Sequence, residues 1–232
     1  WYTHRNVTAE LRIVHRLADR IVTASPESYG IPGEKVIVLG HGIDMAAYAA
    51  VERAPRPGHI LAVGRLSPIK NYEVLLDAFA LPEHGEAYAR SLYERAERLG
   101  ITRQVSFLGA VPHDRVAALY AVATATTNLC PTGGVDKAVL ESFAAGVPAV
   151  VHNATFLPLL AEQSGLLHAV ALTPEGVAGR LEALLRLQQT ERDALGLALR
   201  ERMRDQYGLS GLIGRLVGVF EQVIHERQGG ER

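Results

Sequence analysis

Cysteine is nearly absent: Cys130 is the only one in 232 residues. A disulfide framework and a cysteine-based zinc site are therefore excluded, and the usage fits a reducing compartment. Aromatic residues make up 6% of the chain, too few for a platform that stacks nucleic-acid bases. Neither sign of charge dominates. Lys and Arg number 24 against 25 Asp and Glu, a net charge of −1, which excludes a chain-wide polycation for nucleic acid although not a local patch. Long apolar runs are missing too. The longest uncharged stretches, 116–135 and 142–161, are interrupted by Pro131, Gly133 and Gly134 and by Pro148, Asn153 and Pro158, so neither is a continuous apolar span of about 20 residues. No stretch reads as a signal peptide. The expected location is the cytoplasm, at the membrane periphery if an acceptor is lipid-linked.

Several catalytic signatures are also missing. Gly40 and Gly42 begin a dinucleotide-binding pattern, but Met45 stands where its third glycine belongs. There is no P-loop, zinc-protease or nucleophile-elbow motif. No tight pair of aspartates offers to hold a divalent ion.

What is present is an alternation of short apolar runs and amphipathic segments. Val7, Leu11, Val14 and Ala18 recur at helical spacing, which predicts an amphipathic helix. Residues 21–24 and 36–39 read as buried strands, and the Arg- and Pro-rich stretch 53–58 reads as a linker, with a domain boundary at 45–57. Beyond it the spacing predicts strands at 59–63, 105–108, 124–129, 149–151 and 167–170. Helices are predicted at 71–80, 83–99, 114–122, 135–145, 175–189, 191–206 and 211–227. Short apolar strands alternating with helices imply an α/β fold, a Rossmann-like parallel sheet with helices on both faces. One junction departs from that rhythm: only Leu81-Pro82 separates two helices where a strand is expected.

Three constellations carry candidate chemistry. The first runs from Gly64 through Arg65 to Lys70 and Asn71, where a strand gives way to a helix. Gly64 lets backbone approach a ligand, and Arg65 and Lys70 set two cations beside a helix amino end, a site that suits a diphosphate. Either cation alone reads as a solvated loop residue; together, at the carboxyl end of a parallel strand, they favour the diphosphate. The second is Thr132-Gly133-Gly134-Val135-Asp136-Lys137 followed by Glu141. Its glycines can offer backbone N–H groups to an oxygen-rich ligand, and Asp136 can cap the helix. Glu141 suits a vicinal diol, but its spacing equally allows a surface pair with Lys137 one turn earlier. The third is Gly109-Ala110-Val111, which offers backbone to a base edge or is an ordinary turn. His41, between two glycines, reads as a linker histidine.

The ordered set of motifs resembles the retaining glycosyltransferases of family 4 (glycosyl transferases group 1), which have a two-Rossmann-domain B fold. The residues that carry the likeness are His41-Gly42-Ile43-Asp44, Val63-Gly64-Arg65-Leu66 with Lys70-Asn71, Phe107-Leu108-Gly109, and the run from Leu140-Glu141 to Pro148. The likeness spans about residues 10–225. It implies that Arg65 and Lys70 hold a donor diphosphate, that backbone near Val111 meets the base, and that Glu141 holds the ribose. Gly133 stands where that family has the first Glu of its E-x7-E motif, which puts the identity of the sugar in doubt. It further implies the end of an acceptor-side domain at 1–44, a linker at 45–57, a nucleotide-sugar domain at 58–209 and a helix at 210–232 that crosses back. A strand near Leu81-Pro82 and an amino-terminal domain are expected outside these 232 residues. The implied reaction moves a sugar from a nucleotide diphosphate sugar to a sugar, lipid-linked or small-molecule hydroxyl acceptor, with no metal, no other cofactor and no nucleic-acid polymer. A sugar-nucleotide epimerase, a nucleotide-sugar binding module without turnover and a purely structural domain stay open.

Overall fold

The computed structural model describes residues 7–79, 85–131 and 133–229. In chain order the elements are α1 (Ala9–Leu17), β1 (Ile21–Thr23), β2 (Val36–Val38), α2 (Met45–Ala49), β3 (Ile60–Ala62), α3 (Tyr72–Phe79), α4 (Gly85–Arg98), α5 (His113–Val122), β4 (Ala125–Asn128), α6 (Lys137–Ala144), β5 (Ala149–Val151), α7 (Leu157–Leu160), α8 (Ser164–Leu167), α9 (Pro174–Arg186), α10 (Gln189–Tyr207) and α11 (Leu209–Gly229). Every strand pair is parallel. β1 lies beside β2, and β4 sits between β3 and β5.

β4 is central because all four of its residues are buried. Its polar side chains are satisfied inside: the Thr126 and Ser142 hydroxyls meet at 2.7 Å, and Ser142 donates to the Val147 carbonyl at 2.8 Å. Helices cover both faces of this sheet. α6 packs on β4 and β5 with α10 behind it, and α9 packs on the same strands with α3 beside it. Val139, Leu140 and Phe143 of α6 are fully buried with Leu184, Leu199 and Met203. At the α6–α10 crossing two backbones touch, since a Cβ on Gly196 would run into the carbonyl of Gly146.

The other unit is small. Val22 and Leu39 of the β1–β2 region pack against Leu212 and Val219 of α11. Arg215 donates to the Leu39 carbonyl at 2.9 Å, and Arg20 pairs with Glu226 at 2.6 Å. Ile43 exchanges backbone hydrogen bonds with the α10–α11 junction, accepting from Leu209 and donating to Tyr207 at 3.0 and 2.8 Å.

The structure corrects several sequence expectations. Residues 105–108 form no strand. Val105 and Phe107 instead pack sideways against Leu76 and Leu92, Phe107 meets Tyr93 at 4.1 Å, and Leu108 is exposed. β2 is not buried, because it is an edge and Val38 points outward. In α1 only Leu11 of the apolar stripe is buried; Val14 faces outward. Within 53–58, Ala54 and Arg56 donate backbone hydrogen bonds to the Ala121 and Val122 carbonyls at 3.0 and 2.9 Å. The helix α2 lies in the expected linker. Near 167–170 there is one bridge, His168 to Val151, with Leu167 closing α8. Leu81-Pro82 lies outside the described residues. No helix among the described residues is long and apolar enough to cross a membrane.

Candidate functional site

The first two constellations meet at the carboxyl ends of β3 and β4. After β3 the chain makes a 3-10 turn, Pro68–Lys70, and Asn71 takes a left-handed φ of 49° before α3 begins. Asn tolerates that conformation better than most residues. Its amide donates to the Leu129 carbonyl at 2.9 Å, which ties the turn to the end of β4. Gly64 has no room for a side chain: a Cβ there would lie 2.7 Å from the Tyr72 hydroxyl.

This turn sends the half-buried Lys70 ammonium to Asp136 rather than outward to solvent. Asp136 opens α6. One of its oxygens accepts from the Ala138 backbone N–H at 3.2 Å, and the other takes Lys70 and the Asn128 amide, the latter at 3.0 Å. Burial would raise the Asp136 pKa, but the Lys70 bond and charge, with Asn128 and Ala138, outweigh it and hold it below the ordinary carboxylate range. Arg65 is exposed and forms no ion pair among the described residues.

The glycine loop before α6 is fixed on two sides. The Gly133 carbonyl accepts from Asn153 at 3.1 Å and from Thr155 at 3.2 Å, and Gly133 has a φ of 102° that glycine alone adopts readily. Gly134 lies against the Ser25 and Ser28 hydroxyls, and a Cβ there would collide with Ser25. Thr132 lies outside the described residues. Val135 is buried and Lys137 exposed.

The His41 pKa is lowered by burial and then by the Lys137 charge, against the pull of the Val135 backbone and Asp136.

Glu141 is buried, so the surface pair with Lys137 is not formed. Its carboxylate lies 3.6 Å from the exposed His113 imidazole. Tyr48 is buried, and burial together with the negative charge of Glu141 pushes its pKa up. His113 begins α5, so this contact brings the start of α5 to Glu141. Gly109 has a φ of 65° with open space around it, and Val111 packs against the main core. Among the described residues no group of three or more His, Cys, Asp or Glu could hold a metal ion. The arrangement presents cations, backbone donors and a carboxylate around one loop cluster.

Residues 49–204 match the sequence model of the family Glycosyl transferases group 1. The chain belongs to the glycosyl transferases group 1 family.

Curated relatives agree with that membership, and solved structures share the fold. This group 1 chain is 28% identical over 209 residues to the D-inositol 3-phosphate glycosyltransferase of Rhodococcus erythropolis, covering 78% of this chain and 45% of the relative. It is 24% identical over 175 residues to the mannosylfructose-phosphate synthase of Agrobacterium fabrum, covering 60% and 38%. The chain thus spans less than half the length of these curated relatives. Its fold matches that of Anabaena HepE in complex with UDP and glucose, with a TM-score of 0.76, 15% identity, and coverage of 92% and 66%. It also matches the sucrose-phosphate synthase of Thermosynechococcus elongatus, with a TM-score of 0.68, 15% identity, and coverage of 94% and 57%.

Three site neighbours escape sequence reasoning: Tyr48, Asn128 and His113. Only His113 carried a signal, its place at a helix start just past a glycine turn.

Proposed function

We propose that this group 1 chain carries the donor half of a glycosyltransferase site. It binds a nucleotide diphosphate sugar, and the whole protein moves the sugar to a hydroxyl acceptor with retention and without a metal cofactor. The observation that carries the reading is the convergence of Lys70 on the amino end of α6, beside the glycine loop and one turn before the buried Glu141.

Each part then has a task. Lys70, with three N–H donors, can serve Asp136 and a phosphate oxygen together. Arg65 is exposed at the rim and can fork two further oxygens. These cations and the α6 amino end stand where negative charge develops on the leaving diphosphate, an electrostatic preorganisation that lowers the barrier. Gly133, Gly134 and Val135 supply backbone to the sugar or phosphate. Glu141 accepts from the ribose diol, and backbone near Gly109 and Val111 faces the base. Residues 58–209 form the nucleotide-sugar domain. That HepE, which shares the fold, was solved with UDP and glucose supports a nucleotide ligand.

The test is thermal unfolding of the chain against UDP, GDP, ADP and their common sugar conjugates, repeated with Arg65→Ala/Lys70→Ala. A ligand at about 100 times its Kd adds about 2.7 kcal/mol, several degrees in a domain of this size. We expect a shift with one base that disappears in the double variant. A folded chain that responds to none of these nucleotides would overturn the reading.

A further inference from the structure

We propose that His113 is a second contact for the ribose diol: the imidazole at the start of α5 and the Glu141 carboxylate hold one pair of hydroxyls between them. The inference deepens the function proposed above and rests on it. Two helices bring the groups together. On α5, His113, Val116 and Tyr120 recur at spacings of three and four, so they share one side of the helix. Val116 and Tyr120 carry that side into the core, and the Tyr120 hydroxyl donates to the Ala138 carbonyl of α6 at 2.8 Å. Two turns back from Tyr120 stands His113, and one turn on from Ala138 stands Glu141. The imidazole Nε2 lies 3.6 Å from a Glu141 oxygen.

The two side chains differ in setting. That of Glu141 is 10% exposed and that of His113 78%. A carboxylate so far withdrawn from water needs hydrogen-bond donors, and its near oxygen faces an imidazole that is open to solvent. At 3.6 Å the two stand too far apart for a hydrogen bond with each other, yet one hydroxyl oxygen can reach both. A sugar hydroxyl carries one donor and two lone pairs. It can donate to Glu141 and accept from the imidazole with its proton on Nε2, a match that a hydrogen atom at the same carbon does not offer. The vicinal diol brings a second hydroxyl, which donates to the other Glu141 oxygen. An exposed ion pair adds little to stability, so the share of His113 in the fold is small and its loss can be read in binding.

The test reads the diol separately from the fold. Affinities of the 232-residue chain for UDP, GDP and ADP are compared with those for the 2′,3′-dideoxy forms of the same nucleotides. In the unaltered chain the ribose form of the favoured base binds more tightly. His113→Ala is expected to weaken the ribose form about three- to tenfold, the range of one hydrogen bond, and to leave the dideoxy form and the urea midpoint unchanged. Glu141→Gln should shrink the same ratio. The double variant should lose less than the two single losses combined, because both groups meet one hydroxyl. Equal weakening of both forms by His113→Ala would mean that the imidazole acts through charge or fold and would overturn the inference. So would a full ratio in His113→Ala beside a lost one in Glu141→Gln, while the donor reading stood. An unaltered chain that binds none of these nucleotides, or binds both forms equally, would sink the donor role of Glu141 and the inference with it.

Discussion

Lys70, in the loop after β3, forms an ion pair with Asp136, the cap of α6, across 66 residues of sequence. The pair joins two loops that leave neighbouring parallel strands. It also aims the ammonium before any donor arrives, because Asp136 is itself held by Asn128 and by the α6 backbone. Energy that would go into ordering a flexible lysine on binding is then already spent during folding.

The pair sets a pH dependence. The Asp136 pKa lies below its ordinary 3.8 in the folded chain, so the unfolded chain takes up that proton first as pH falls. Stability rises with pH wherever the unfolded state binds more protons. The contribution of Asp136 is therefore complete above about pH 4 and is lost as pH drops through the folded value. Asp136→Asn keeps the helix cap and removes the titration. We expect a shallower acid limb for this variant, measured by urea unfolding in steps below pH 4. Parallel limbs for both proteins would contradict it.

A second ion pair tests burial. Arg95 of α4 meets Asp77 of α3 at 2.9 Å, with side chains 4% and 11% exposed. Burial raises the Asp77 pKa, and Arg95 opposes that rise. Arg95→Met leaves a carboxylate without its cation and should cost about 3–5 kcal/mol. Adding Asp77→Asn should recover most of the loss. Chemical denaturation of the two variants is the measurement, and a double variant as unstable as the single one would show that packing, not charge, sets the cost.

The glycine loop makes a third prediction. Gly134→Ala would drive a methyl group into the Ser25 hydroxyl, and we expect a loss of about 1–3 kcal/mol, the usual range for overpacking. The Ser25 side chain is the obstacle, so Ser25→Gly in the same chain should restore much of the stability. Thermal unfolding of the pair decides it; no rescue would mean that the loop backbone, not Ser25, resists the change.

Some of this was legible in the sequence. β5 could be read because its apolar run is continuous, and the end of α6 because Gly146 follows it. Residues 105–108 misled because Val105 and Phe107 satisfy their apolar character against Leu76 and Leu92 instead of in a sheet, and periodicity cannot tell side-on packing from a ladder. The partnership of Lys70 with Asp136 had no local trace at all. Glu141 was ambiguous for a related reason: helical spacing gives its neighbours on α6, whereas its ion-pair partner His113 lies on another element. The start of α2 did leave a sign, Asp44 ahead of Met45-Ala46-Ala47, a capping residue before good helix formers.

The meeting of Gly196 with Gly146 bears on what the chain can become. Alanine at 196 would be the better helix former by about 1 kcal/mol, yet there is no space for its methyl group. α6, which presents Asp136 and Glu141, is therefore located at its far end by a missing side chain. Mutational drift at this one position is closed off in both size and polarity, so the aim of the site is inherited through an empty place in the packing, far from any group that would touch a sugar.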